Sequence, residues 1–254
     1  MIEIEQFPCL SDNFGVLVHD EKNGRTVSID APEAAAIETA LSRRGWHLTD
    51  ILVTHKHFDH IDGLAPLKDA YGCAIAGPKA EAEAIGMLDE ELVEGDVYKA
   101  GSLAFSVIET PGHTLGQINF HCPQANALFA GDTLFSLGCG RLFEGSAADM
   151  FASLEKLKAL PPQTHLYCGH EYTKANADFA LSVDPGNDAL KLRADQVLVL
   201  RAEGMPTLPV TLEREFAANP FLRTSDPAIR AGLGMEDADD VAVFAELRAR
   251  KDRF

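Results

Sequence analysis

The segment Thr54-His55-Lys56-His57-Phe58-Asp59-His60 constrains this chain more than any other part of it. Three histidines and an aspartate fall within six residues, directly after the apolar run Ile51–Val53. Imidazole nitrogen and carboxylate oxygen together suit zinc, iron or manganese. His-x-His spacing sends both rings to one side of an extended chain. Asp59 and His60 fall where a loop is expected to turn into a helix, so they can face a second point. A fold that ends a strand on such a loop is a fold built around a metal centre.

Three later segments repeat the arrangement of an apolar strand with a candidate ligand at its carboxyl end. They are Val107–Thr114 with His113, Leu128–Thr133 with Asp132, and Leu166–Glu171 with His170. Ligand sites of open α/β sheets gather at the carboxyl ends of strands. A glycine precedes each of these three residues, which lets the backbone turn sharply and keeps a side chain away from the centre. Seven ligand-type residues exceed the four or so that one tetrahedral ion takes. Two divalent ions with Asp132 as the bridging carboxylate account for all of them. His19, His47, His121 and His165 lack such partners and read as structural or surface residues.

Strand-like runs are expected at Ile2–Gln6, Gly15–His19, Thr26–Ile29, Ile51–Thr54, Leu103–Ile108, Gln117–His121, Ala127–Ala130 and His165–Cys168. Helices are expected over Glu33–Arg44 and Ala148–Ala159. From Tyr172 onward the pattern turns helical, with Asn187–Arg201 amphipathic and Glu236–Arg250 ending the chain. This predicts an α/β catalytic domain over residues 1–168 and a helical domain over 169–254.

The formal net charge of -17 disfavours nucleic acid and anionic membrane as partners. It leaves room for a small anion if a local basic patch exists. Five cysteines form no CxxC pair, which points to a reducing compartment. The start of the chain has no signal-peptide pattern, and no apolar run approaches a membrane span. A cytoplasmic protein is expected.

Together, THKHFDH, TPGHT and the later Gly-Asp and Gly-His elements resemble the metallo-β-lactamase superfamily. Within it the chain is similar to glyoxalase II, the hydroxyacylglutathione hydrolases. That likeness runs over essentially the whole length. It is carried by Ser11-Asp12-Asn13-Phe14, Gly138-Cys139-Gly140-Arg141, Phe143-Glu144-Gly145, Gly169–Thr173, Asn219–Arg223 and Arg248–Asp252.

The resemblance implies a four-layer αββα sandwich with a C-terminal helical domain. It implies one ion on His55, His57 and His113, and another on Asp59, His60 and His170, bridged by Asp132. Zinc is the expected metal, with iron or manganese admitted by the same ligands. Asp59 and Asp132 are the implied catalytic residues. Arg141, Phe143, Tyr172, Asn176, Arg248 and Lys251 stand at the implied glutathione-binding positions. Arg and Lys suit a substrate with two carboxylates.

The family often has Tyr where this chain has Phe143, and Lys where it has Arg141. Phe143 cannot donate a phenolic hydrogen bond, whereas Arg141 keeps its charge. The implied reaction is hydrolysis of S-D-lactoylglutathione to D-lactate and glutathione by a metal-bridging hydroxide, carried out by a monomer in methylglyoxal detoxification. A mononuclear-iron glutathione persulfide dioxygenase, or a lactonase of the same superfamily, is the alternative. A non-catalytic thiol-conjugate binder is a further one.

Overall fold

The computed structural model describes all 254 residues, Met1–Phe254. The chain forms two compact units, and each is described by itself. The first comprises Met1–Glu109 and Leu115–Gly131, the second Thr110–Thr114 and Asp132–Phe254.

In the first unit, β1 (Ile2–Cys9), β2 (Asn13–Asp20) and β3 (Arg25–Ile29) pair antiparallel. The chain then crosses through α1 (Ala34–Arg44) to β4 (Asp50–Leu52). After α2 (Phe58–Ile61) and α3 (Leu64–Tyr71) come β5 (Ala74–Pro78), α4 (Ala82–Ile85) and β6 (Glu90–Leu92). Strands β3 to β6 pair parallel, so the sheet order is β1-β2-β3-β4-β5-β6. Four strands of a second sheet follow as an antiparallel meander: β7 (Val97–Ala100), β8 (Leu103–Glu109), β9 (Ile118–Cys122) and β10 (Ala127–Phe129).

Nearly every residue of β2 is buried, because its sheet is covered on both faces. Helices α1 and α3 supply Ile37, Leu41, Leu64 and Leu67 to a core with Leu17, Ile51, Val53 and Ile75. Burying each such side chain is worth about 1.5–3 kcal/mol. Hydrogen bonds link the two sheets. Tyr98 on β7 donates to Asp50 on β4 at 2.7 Å, and the Ser102 hydroxyl donates to Asp20 at 2.7 Å.

In the second unit, β11 (Leu134–Phe135) and β12 (Gly138–Cys139) form a short hairpin. Helix α5 (Ala147–Lys158) starts at a capping box, in which Ser146 accepts from Asp149 N and Asp149 accepts from Ser146 N. Strand β13 (His165–Tyr167) pairs antiparallel with β14 (Val210–Thr211). The helices are α6 (Thr173–Val183), α7 (Asp188–Ala202), α8 (Leu212–Ala218), α9 (Pro227–Leu233) and α10 (Asp240–Arg253). Phe179, Phe221, Phe244 and Phe151 pack in sequence, with ring centroids 5.8–6.1 Å apart.

The expected strands and helices are all present within a few residues. Two boundaries shift for visible reasons. Strand β4 starts at Asp50, whose carboxylate is held by Arg25 and Tyr98. The last helix opens at Asp240 rather than Glu236, because the Asp239 side chain caps it by accepting from Ala242 N at 2.8 Å.

Candidate metal centre

Four of the predicted ligands lie in the first unit, and Asp30 organises them. It ends β3 with φ +57 and is 4% exposed. One oxygen accepts from Thr54 N at 2.6 Å. The other accepts from the Thr54 hydroxyl at 2.8 Å and meets His60 Nδ1 at 2.7 Å. With Nδ1–H donating to a carboxylate, the ring lone pair of His60 lies on Nε2, as in a metal-ligating histidine. His60 Nε2 stands 3.9 Å from Asp59 Oδ2.

Asp59 is fixed in turn by Asn13, whose Nδ2 donates to both Asp59 Oδ2 and Asp59 O at 3.1 Å. On the other side of the loop, His55 Nε2 and His57 Nδ1 lie 3.0 Å apart. Two nitrogens each about 2.0–2.1 Å from one ion stand about that far from each other. Buried Glu81 holds the loop from below: it accepts from Lys56 N at 2.6 Å and from Gly116 N at 3.2 Å.

The second unit carries the other three. His113 Nδ1 meets the carbonyl of Arg141 at 2.8 Å, which directs Nε2 to 3.4 Å from Asp132 Oδ2. His170 Nε2 reaches the same oxygen at 3.3 Å. The His170 ring stacks on Tyr172, with centroids 4.7 Å apart and planes 5° off parallel. His113, Asp132 and His170 are each 4–6% exposed. A backbone of this shape needs glycine at two places. Gly112 has φ +152, and a Cβ there would come within 2.7 Å of Met150 Cβ. A Cβ on Gly140 would lie 1.9 Å from the carbonyl of Asp132.

All seven predicted residues thus belong to His/Asp clusters suited to a metal ion. The donor chemistry fits. Four of the five rings are buried and His57 is half-buried; they converge on each other or on a carboxylate, and His60 and His113 have an acceptor on the far nitrogen.

The predicted binding residues also lie in the second unit. Asp252 sits between two guanidinium groups: Arg248 Nη2 at 3.0 Å and Arg141 Nε at 3.8 Å from its Oδ1. Arg141 lies over the Phe143 ring at 5.6 Å, and that ring meets His113 edge-on at 5.2 Å. Exposed Phe143 therefore joins the cationic residues to the ligand cluster. Lys251 donates to the carbonyl of Ala175 at 3.0 Å, and burial, then Arg248, pulls its pKa down.

Two of the six are buried and engaged with backbone. Arg248 donates to the carbonyl of Cys139 at 2.9 Å, and Asn176 donates to that of Ser136 at 3.1 Å. All five cysteines are free and buried, and burial pushes the Cys139 thiol up to about 11.

Asn13, Asp30 and Glu81 were not singled out for these roles by sequence reasoning. Asn13 fell within a motif, but its hydrogen-bond partner lies 46 residues away. Nothing in the local sequence marks Asp30 or Glu81 as positioning groups.

Two family models match in succession along the chain. Residues 24–170 match the family model of the metallo-beta-lactamase superfamily, and residues 171–254 match that of the hydroxyacylglutathione hydrolase C-terminus. A hydroxyacylglutathione hydrolase from Brucella anthropi is 56% identical over 253 residues, spanning 100% of this chain and 97% of the relative. Among solved structures, the BLEG-1 B3 metallo-beta-lactamase superposes with a TM-score of 0.66 at 23% identity, over 87% of this chain and 100% of that one. TTHA1623 in a di-iron-bound form gives a TM-score of 0.59 at 25% identity, over 86% and 98%.

Proposed function

The chain belongs to the hydroxyacylglutathione hydrolases of the metallo-β-lactamase superfamily, and from that premise we propose that it hydrolyses S-D-lactoylglutathione to D-lactate and glutathione at a centre of two divalent ions. The observation that carries this reading is identity at 56% across the full length, together with the seven buried or half-buried ligand-type residues. His55, His57 and His113 would hold one ion, Asp59, His60 and His170 the other, with Asp132 shared. Two ions so held would polarise the thioester carbonyl and bring the pKa of a water toward about 7. The di-iron form of a relative supports the count of two. Zinc is the metal we favour for an all-nitrogen-and-carboxylate set, which also accepts iron or manganese.

The protein's own groups do the rest. Asn13 keeps Asp59 turned so that its carboxylate can orient the attacking water. Asp132 stands against two imidazoles and fixes their direction. Water adds to the thioester carbonyl, the C–S bond breaks, and the thiolate of glutathione leaves. Residues 169–254, together with Arg141 and Phe143, provide the glutathione-binding part. Arg141, Arg248 and Lys251 supply positive charge for its carboxylates, while Tyr172 and Phe143 shape the surface and buried Asn176 ties its helix to the carbonyl of Ser136. A remote part held in this way positions the reacting carbonyl. Phe143 replaces a hydroxyl donor with a ring that Arg141 covers, so glutathione is held here more by charge than by a phenol.

One chain carries all of these residues, which supports action as a monomer. Free, buried cysteines support a reducing, cytoplasmic setting. No helix is long and apolar enough to cross a membrane.

The test is turnover of S-D-lactoylglutathione by purified protein before and after chelation, with metal content measured in parallel. The expected result is activity that disappears with the metal, close to two ions per chain, and loss of both in His57→Ala and Asp132→Ala. Full activity in either variant would remove the two-ion centre.

A further inference from the structure

Two stretches of backbone run side by side at the metal loop of the first unit. Ile118 N donates to Thr54 O at 2.9 Å, which joins the start of β9 to the loop that carries His55 and His57. Beyond that rung each stretch presents an amide, Lys56 N from one and Gly116 N from the other. Two N–H groups cannot satisfy each other, but a carboxylate with two oxygens satisfies both. Glu81 does so: its Oε2 accepts from Lys56 N at 2.6 Å and its Oε1 from Gly116 N at 3.2 Å.

Glu81 ends the 3₁₀ turn Lys79–Glu81 that follows β5, and it is 4% exposed. A carboxyl group buried to that degree is costly unless its oxygens are engaged. The sequence also makes room for it. A Cβ at Gly116 would lie 2.5 Å from Glu81 Cγ and 3.0 Å from Ala80 Cβ, so a larger residue there would push the carboxylate off its two amides. Lys56 lies between His55 and His57, whose facing nitrogens are His55 Nε2 and His57 Nδ1, 3.0 Å apart. His55 is braced from Thr54, whose hydroxyl meets its Nδ1 at 3.0 Å. His57 presents Nδ1, the ring nitrogen nearer the backbone, so its place follows the backbone at Lys56. Asp59 and His60 have supports of their own in Asn13 and Asp30.

We propose that Glu81 is a positioning residue for one of the two ions. Through the Lys56 amide it holds His57 in the direction that the ion on His55, His57 and His113 requires. It plays no part at the ion on Asp59, His60 and His170. The assignment rests on the two-ion reading above, and it gives the two ions separate supports.

Elemental analysis and chelator competition on the full chain test it, with Glu81→Gln, Glu81→Ala and Gly116→Ala beside the unaltered protein. Glutamine keeps the shape and one acceptor but turns an NH2 toward the second amide; alanine removes both acceptors. Gly116→Ala displaces the carboxylate without removing it. One ion is expected to weaken about 10-fold in Glu81→Gln and about 100-fold in Glu81→Ala, while the other stays within about twofold. Glu81→Ala should therefore purify with close to one ion per chain, and adding His170→Ala should take the content toward zero. Turnover should fall through kcat with KM little changed, because the residues proposed for glutathione are unaltered. Thermal unfolding of the metal-free variants reports whether they fold; where Glu81→Ala does not, Glu81→Gln and Gly116→Ala carry the test. A lowered stability alone would leave both ions at native affinity, and that result in a folded variant overturns the proposal. Equal weakening of both ions overturns it as well. If the unaltered protein binds one ion only, the two-ion reading falls by itself. Glu81 is then judged on that ion, where unchanged affinity overturns its role and a loss of about 10-fold upholds it.

Discussion

Each candidate ligand whose far side is visible is held by a group that itself has little freedom. His60 is fixed by Asp30, His113 by the carbonyl of Arg141, and Asp59 by Asn13. Such outer contacts are worth about 10- to 100-fold in metal affinity. Asn13→Ala is expected to weaken metal binding by that factor while leaving the fold intact, since Asn13 bonds only the loop it supports. Chelator competition reads this directly; two unchanged affinities would show that Asp59 needs no support. Gly140→Ala makes a sharper demand. Its methyl would lie 1.9 Å from the carbonyl of Asp132, so backbone must move. The expected cost is about 1–3 kcal/mol or more, with activity falling together with stability. An active variant of native stability would mean that this turn is looser than its geometry indicates. The seven ligands were readable because histidines and aspartates rarely cluster at strand ends without a use. Asn13 and Asp30 were not, because each acts across 24 to 46 residues of chain and its identity is ordinary for a turn.

Strand ends in the first unit are secured by buried carboxylates. Asp20, at the end of β2, accepts from Ser102 N at 2.9 Å, from the Ser102 hydroxyl at 2.7 Å and from Asn23 at 2.5 Å. Burial pushes its pKa upward, but these hydrogen bonds outweigh burial and hold it well below the usual carboxylate range. As pH falls, the unfolded chain takes up this proton first, near its ordinary value of about 4. Stability contributed by Asp20 is therefore present above about pH 4 and drains away as pH drops toward the folded value. Asp20→Asn should lower the urea midpoint at pH 7 and narrow the gap between the two proteins at pH 3. A gap that stays constant with pH would assign the effect to packing instead. The long strands were legible from runs of Val, Ile, Leu and Phe between turn residues. Strands β5, β6, β7, β11, β12 and β14 were not anticipated. β11, β12 and β14 are only two residues long, and β5 ends in Gly77-Pro78, a pair that reads as a turn. They exist because tertiary neighbours supply their hydrogen bonds.

At the scale of the molecule, a division by family places residues 171–254 together, whereas packing extends the second unit back to Asp132. The difference lies in the hairpin of β11 and β12. Glu215 on α8 is fully buried and accepts from Ser136 Oγ and Leu137 N, both at 2.7 Å. Burial raises its pKa despite those bonds. Asn219 donates to the carbonyls of Phe135 and Gly138, Asn176 to that of Ser136, and Arg248 to that of Cys139. The Leu137 side chain packs among Ala177, Ala180, Leu190, Ala194 and Ala218. Residues 171–254 alone would lose every one of these partners. Each buried polar group left unsatisfied costs about 1–3 kcal/mol, and a domain has only about 5–15 kcal/mol in total. Four such losses, together with an emptied leucine site, are as large as that whole margin. The isolated segment is therefore expected to show no cooperative thermal transition by circular dichroism, however helical its sequence reads. A sharp transition from residues 171–254 alone would show that the helices carry their own core and that the hairpin is only attached to it.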